Sequence, residues 1–316
     1  MPVNIFITGH RGYIGSALIK LLQDQYNLDT IRGYDIIDGV DILDLDTLTT
    51  AMRFFNPYIV IHLAAISSGK NITQSVKVNS IGTRNVLTAM KASDCQHIIY
   101  ASTSEVYGNN ERLPFNEKMV PKPISPYGMS KLLGEHAIYN HYEINKNIGD
   151  YLIFRLFEVV GSSGFESIDA KYQPGYNSLF QGLESGKVII HGNDYSTFDG
   201  TCERDYVALK DTCEAFVIGI KTIMTTNIRE TINICSGRAL SIESVILTWN
   251  NLHVSDMLSA TYSYEPRKED DSDIVYGSNI KAQKIINWFA KRKIEDIICD
   301  LAQDKKFNHG DHRALV

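Results

Sequence analysis

The run Val3-Asn4-Ile5-Phe6-Ile7-Thr8-Gly9-His10-Arg11-Gly12-Tyr13-Ile14-Gly15 decides the fold. Its first part is apolar and β-branched, and Val3–Thr8 reads as a buried strand. Its second part spaces glycines as Gly9-x-x-Gly12-x-x-Gly15 and opens a helical period carrying Ile14, Leu18, Leu21 and Leu22. Gly9 permits a tight turn. Gly12 lets the backbone approach a pyrophosphate, which a helix N-terminus stabilises, and Gly15 lets the helix pack close to the sheet. Asp35 stands twenty residues past Gly15, at the end of the next strand, Thr30–Asp35. A carboxylate there accepts from an adenosine 2′-hydroxyl. Arg11, inside the turn, pulls the other way, because a guanidinium would meet a 2′-phosphate. Asp35 would repel that phosphate, so NAD is expected over NADP.

Working outward, Leu45–Phe55, Gly82–Ala92 and Pro126–Asn145 read as helices. Ile59–Ala64, His97–Ser102 and Tyr151–Phe157 read as strands. Strand and helix alternating through short links predict an α/β fold, a Rossmann-type doubly wound parallel sheet. The pattern loosens after Gly161. Residues 161–210 are rich in Gly, Ser, Asp and Tyr, with a turn at Pro174-Gly175, and read as a lobe of loops and short elements. Thr231–Ser236 reads as a strand returning to the main sheet, and Ser241–Asn251 and Ile280–Phe289 as helices. The expected division is a dinucleotide-binding domain over 1–160, joined by the return strand near 231–236, and a smaller, loop-rich C-terminal substrate lobe over 161–316. The polar tail from Lys305 is expected to fray, leaving His309 and His312 solvated.

Composition narrows the function. Of 316 residues, 44% are hydrophobic and 22% charged, which excludes a disordered or low-complexity chain. A net charge of −6 argues against sequence-independent nucleic-acid binding, which needs a basic face. No apolar run nears the roughly 20 residues of a membrane span; the longest, Tyr58–Ile66, is interrupted by His62. The chain opens almost directly on a strand with no basic, apolar leader, and its cysteines (Cys95, Cys202, Cys213, Cys235, Cys299) are scattered without a CxxC. Both features point to a cytoplasmic protein with reduced thiols. The acidic cluster Glu269-Asp270-Asp271 has no His or Cys beside it, and no metal is expected.

The chemistry centres on Tyr127-x-x-x-Lys131 in Ser125-Pro126-Tyr127-Gly128-Met129-Ser130-Lys131. This spacing puts both side chains on one helical face, where an ammonium favours a phenolate. Ahead of it, Ala101-Ser102-Thr103-Ser104-Glu105-Val106-Tyr107-Gly108 ends a strand. Hydroxyls at the carboxyl end of a doubly wound sheet point into the ligand crevice.

The glycine triplet, Asp35, Leu63-Ala64-Ala65, Asn79, Ser102-Thr103, Tyr127 and Lys131 together resemble the extended short-chain dehydrogenase/reductase family, and within it the nucleotide-sugar epimerase/dehydratase group. The resemblance spans residues 3 to about 302. Its most specific stretch, Ile190-His191-Gly192-Asn193-Asp194-Tyr195-Ser196-Thr197-Phe198-Asp199-Gly200-Thr201-Cys202-Glu203-Arg204-Asp205-Tyr206, is most similar to UDP-glucose 4-epimerases. The resemblance implies NAD as cofactor and a UDP-hexose as substrate. It implies that Tyr127 is the base, that Lys131 binds the nicotinamide ribose and tunes Tyr127, and that Thr103 joins Tyr127 at the sugar 4-hydroxyl, with Ser104 also near the substrate. It places Gly9, Gly12, Tyr13, Ile14, Gly15, Asp35, Asn79 and Ser102 around the cofactor, with Asp41 and Ile42 at the adenine. Leu63, Ala64 and Ala65 match the turn over the cofactor, and Phe157 lies beside the nicotinamide. Arg204 matches a diphosphate-binding arginine. A second phosphate cation is Arg267 or Lys268, and the uridine ribose partner is Asp270 or Asp271. Helices near 82–92 and 126–145 match those that pair in a homodimer.

The chain also departs from that pattern. Glu158 stands where an Asn usually faces the substrate phosphates, the segment from Asp35 to Asp41 is short, and Gly9-His10-Arg11-Gly12 is closer to nucleotide-sugar reductases. Ser102–Gly108 shares its form with UDP-glucuronate decarboxylases, and Ser104-Glu105 replaces the Asp-Glu of 4,6-dehydratases, removing a general acid for elimination. Decarboxylase, dehydratase and 4-reductase remain alternatives to the NAD-dependent 4-epimerase, as does a non-catalytic NAD-binding sensor. Glu105 is expected to pack or to bond to its loop.

Overall fold

The computed structural model describes residues 3–67, 72–110, 112–144, 146, 148–162, 178–252, 259–267 and 271–309. The first half runs β1 (Ile5–Thr8), α1 (Tyr13–Gln23), β2 (Ile31–Tyr34), α2 (Leu45–Phe55), β3 (Ile59–His62) and α3 (Ile72–Val76). A π-helical turn, Lys77–Gly82, leads into α4 (Thr83–Ala92), β4 (His97–Thr103), α5 (Pro126–Tyr139) and β5 (Tyr151–Leu156). The second half runs β6 (Glu158–Val160), α6 (Ser178–Ser185), β7 (Lys187–His191), β8 (Glu203–Arg204), β9 (Tyr206–Ala208), α7 (Leu209–Thr225) and β10 (Arg229–Ile234). It closes with β11 (Leu240–Ser241), α8 (Ile242–Asn251), β12 (Thr261–Glu265), β13 (Ile274–Val275), α9 (Ile280–Ile286) and α10 (Ile294–His309).

The main sheet has the order β10-β5-β4-β3-β1-β2, with parallel pairing throughout. Its strands alternate between two apolar faces, as a sheet covered on both sides requires. Ile5, Ile7, Ile59, Ile61, Ile99, Leu152 and Phe154 share one core with Leu18 and Leu22 of α1, Phe216 and Ile220 of α7, and Ile286 of α9. Phe6, Val60, Ile98, Tyr100 and Ile153 share the other with Leu48 of α2, Val86 and Met90 of α4, and Ile138 of α5. Each such side chain contributes about 1.5–3 kcal/mol on burial. A third core, including Phe180, Leu183, Ile190, Tyr206, Ile246, Trp249 and Ile298, underlies the small sheets β11-β8-β13 and β12-β7.

The expected α/β sheet is present, with corrections. The strand expected over 59–64 stops at His62, because the chain turns at once toward the Gly9 turn. The helix expected over 126–145 is α-helical to Tyr139 and π-helical over Asn140–Ile144. The helix expected to Phe289 ends at Ile286, where Asn287 takes a left-handed conformation (φ +50°). The tail expected to fray from Lys305 is helical to His309. His312 and Pro174-Gly175 lie outside the described residues. The helix α7 went unread, although Leu209, Cys213, Phe216, Val217, Ile220 and Ile223 repeat at helical spacing and are all buried.

Candidate active site

The order of the sheet reverses between β1 and β3, and the crevice beyond the carboxyl ends of those strands is where such sheets take ligands. The glycine turn lies in it. Gly9 has φ +74°, and a Cβ there would lie 2.5 Å from Ala64 N, so only glycine lets the two loops meet. A Cβ on Gly15 would lie 2.3 Å from Gly9 O. Gly12 is the N-cap of α1 and carries no side chain to fill the helix N-terminus. Asp35, 8% exposed, accepts from Arg11 N (2.9 Å) and Ile37 N (3.1 Å). Tight backbone, an open helix N-terminus and an ordered carboxylate at the end of β2 fit the pyrophosphate and adenosine ribose of a dinucleotide.

Thr103 ends β4 at the same edge of the sheet, and its Oγ1 accepts from Glu105 N (3.3 Å). Ser125 N-caps α5 by accepting from Gly128 N (2.9 Å), and Pro126 takes the first turn, where its missing N–H is harmless. The Ser125 hydroxyl also donates to Glu105, so Glu105 steadies the cap of the helix that carries Tyr127. Tyr127 is half-buried and Lys131, one turn on, is buried. Burial, then Glu105 and Glu158, push the Tyr127 phenol above its ordinary pKa. Burial pulls the Lys131 ammonium down to about 7, with Glu135 opposing. The ammonium expected to favour a phenolate is set against burial and the two carboxylates, which in the protein by itself act in the opposite direction.

Beneath these groups lies a buried polar layer. Ser102 donates to Glu135 (2.5 Å), which pairs with Arg155 through Nε (3.0 Å) and Nη2 (2.7 Å). The Arg155 guanidinium stacks on Tyr107, 4.8 Å from its ring centroid. Asn79 donates to Ile66 O (3.0 Å) and Ser130 (2.9 Å) and accepts from Ile66 N (2.8 Å), bracing the loop after β3 against α5. His62 lies between Thr8 (2.6 Å) and Thr83 (3.0 Å). Thr83 donates to Asn79 O (2.7 Å), so it accepts from His62 Nε2 while Thr8 donates to Nδ1. Burial holds this imidazole neutral, its pKa pulled down to about 3.

Across the crevice, Arg204 donates to Ser272 O (2.9 Å) and pairs with Asp271. Asp271 Oδ2 accepts from Tyr195 (2.9 Å). The Arg267 guanidinium lies over the Tyr195 ring, 3.9 Å from its centroid, donates to Asp271 O (2.8 Å) and pairs with Asp273. Glu158, exposed at the start of β6, acts electrostatically on both Tyr127 and Arg204.

The remaining expected residues fall as follows. Tyr13 donates to Gly161 O, tying α1 to the end of β6, while Ile14, Leu63, Ala64 and Ala65 are half-buried around the turn. Ile42 is buried against Gly82, and Asp41 accepts from Leu43 N (2.9 Å). Phe157 packs with Tyr107, Phe115 and Cys235, and Ser104 opens the turn after β4. Asn79 and Ser102, expected at the cofactor, donate to Ile66 O and Ser130 and to Glu135, respectively. Lys268 and Asp270 lie outside the described residues. Glu135, Asp38, Tyr195 and Asp273 were not singled out from the sequence. Only Glu135, one turn after Lys131, carried a local signal.

A model of the NAD dependent epimerase/dehydratase family matches residues 5–235. UDP-glucose 4-epimerase of Mycoplasma pneumoniae is 28% identical over 330 residues, covering 94% of this chain and 94% of that protein. The crystal structure of UDP-glucose 4-epimerase from Brucella ovis in complex with NAD superposes with a TM-score of 0.84 at 25% identity, covering 95% of this chain and 98% of that one. The structure from Bifidobacterium longum, in complex with NAD+ and UDP, gives a TM-score of 0.83 at 24% identity, covering 97% and 99%.

Proposed function

The chain belongs to the NAD dependent epimerase/dehydratase family, and from that premise we propose that it is an NAD-dependent UDP-sugar 4-epimerase. The observation that carries this is the convergence, at one carboxyl edge of the sheet, of the Gly9 turn, the Thr103 end of β4 and the Tyr127–Lys131 face of α5. The Arg204–Asp271–Tyr195–Arg267 cluster supports a nucleotide diphosphate opposite them.

In this reading Tyr127 takes the proton of the sugar 4-hydroxyl, with Thr103 orienting that hydroxyl. NAD, when bound, would supply the hydride acceptor for C4 and a positive charge that favours the phenolate. Lys131 adds to that charge and holds the nicotinamide ribose. Arg204 and Arg267 keep the diphosphate while the 4-keto sugar turns its other face. Tyr127 then returns its proton to O4 as the hydride returns to C4 on its other face, so the overall redox change would be zero. Glu158 and Glu105 raise the energy of the phenolate until the cationic cofactor offsets them.

The lobe beyond residue 161 is proposed to hold the UDP-hexose. A homodimer through α4 and α5 is supported by Met129 (45% exposed) and Leu133 (41%), which sit one turn apart on the outer face of α5. A cytoplasmic, reducing location is supported by the free cysteines, of which Cys95, Cys202, Cys213 and Cys235 are buried. No helix among the described residues is long and apolar enough to cross a membrane.

The test is product analysis by NMR with catalytic NAD and no reductant, over UDP-glucose, UDP-galactose, their N-acetylated forms and UDP-glucuronate. Interconversion of 4-epimers, falling about 10²- to 10⁴-fold in Tyr127→Phe, is expected. Carbon dioxide and a pentose from UDP-glucuronate would make the enzyme a decarboxylase, and no turnover of any sugar would contradict the epimerase.

A further inference from the structure

We propose that Asp38 closes the adenosine-ribose end of the dinucleotide site to a 2′-phosphate by holding the two basic side chains of the glycine turn, Arg11 and His10. The proposal rests on the Gly9–Gly15 turn being a dinucleotide site. It concerns the one signal that pointed toward NADP, an arginine inside that turn.

Arg11 Nε (3.0 Å) and Nη2 (2.7 Å) both donate to Asp38 Oδ1. His10 Nε2 lies 3.1 Å from Asp38 Oδ2. Both oxygens of the carboxylate are therefore engaged by the turn. The His10 ring is fixed on its other side by β2, since a Cβ on Gly33 would lie 2.4 Å from it. The backbone builds the same arrangement. Asp35 accepts from Arg11 N on one side and from Ile37 N on the other. Asp38 N donates to Asp35 O (3.0 Å), and Gly39 at φ +80° closes the turn. The short segment after Asp35 thus delivers a second carboxylate three residues beyond the first.

Charge then decides. Near neutral pH the Asp35 and Asp38 carboxylates lie beside the Arg11 guanidinium, Arg32 of β2 also acts on Asp38, and burial lowers the pKa of His10 despite Asp38. A 2′-phosphate would enter beside two carboxylates and meet an Arg11 guanidinium already bridged to Asp38. A ribose 2′-hydroxyl meets no such barrier. With Asp38 neutralised, Arg11, whose side chain is 39% exposed, would be released beside the phosphate position. Exposed ion pairs of this kind add little to stability, so the substitution should leave the fold intact.

The experiment is retention from a mixture. Purified protein is equilibrated with equal NADH and NADPH, freed of unbound dinucleotide and denatured, and the released dinucleotides are measured by chromatography. Wild type is expected to retain NADH almost alone. Asp38→Asn is expected to shift the ratio toward NADPH by about tenfold or more, with an unchanged melting temperature. Arg11→Ala added to Asp38→Asn should abolish that gain. An unchanged ratio in Asp38→Asn, or a gain that survives without Arg11, overturns the proposal. Retention of neither dinucleotide by wild type overturns the dinucleotide site itself and this proposal with it, and is distinct from an unchanged ratio.

Discussion

The Lys131 ammonium lies inside the protein, 4.3 Å from the centroid of the Tyr100 ring. Its pKa, about 7, is far below that of an exposed lysine. Below pH 7 both folded and unfolded chains carry the proton, and folding bears the full cost of burying the charge, on the order of several kcal/mol. Between about pH 7 and 10.4 only the unfolded chain binds it, so stability rises with pH across that window. Lys131→Met should therefore melt higher than wild type near pH 6 without cofactor, the gap closing toward about pH 10, while epimerase turnover collapses. Scanning calorimetry at several pH values checks the first part. At this scale the sequence was legible where a residue type and a spacing suffice, as for Gly9, Gly12, Asp35, Tyr127 and Lys131. It was not legible for Asp38 and Tyr195, whose partners Arg11 and Asp271 are distant in the chain and meet them only through folding.

The helix α5 shows how one element serves several ends. Its cap is Ser125, its outer stripe includes Met129 and Leu133, and its inner stripe carries Lys131 and Glu135. Glu135 is fully buried and holds Ser102 and Arg155 directly behind the end of β4. Removing its charge leaves the Arg155 guanidinium buried and unpaired. Glu135→Gln should lose about 3–5 kcal/mol of stability in denaturant titration, far more than an exposed pair is worth. The short strands and the glycine turn were readable because alternation and turn chemistry are local. The helix α7 was passed over because it follows a loop-rich stretch, although its apolar spacing was in plain view. The early end of β3 is a tertiary effect: Ala64 yields to the approach of Gly9.

Over the whole molecule, the chain leaves the main sheet after β5 and returns to it as β10, so residues far apart in sequence meet at one crevice. That return was foreseen from Thr231–Ser236, whereas the pairing of Arg204, Asp271, Arg267 and Tyr195 was not, since it depends on how the small sheets β11-β8-β13 and β12-β7 fold. The proposed dimer belongs to this scale. Met129→Glu combined with Leu133→Glu should shift sedimentation from dimer to monomer with little loss of subunit stability, because both side chains are exposed in the single chain.

With bound NAD supplying the acceptor, the hydride removed from C4 would return to the opposite face of the same carbon. Mass spectrometry of the product from UDP-glucose deuterated at C4, in ordinary water, tests it most directly. Full retention of deuterium in the 4-epimer is predicted. Exchange of that deuterium for solvent hydrogen, or appearance of the epimer in Tyr127→Phe at the wild-type rate, would contradict it.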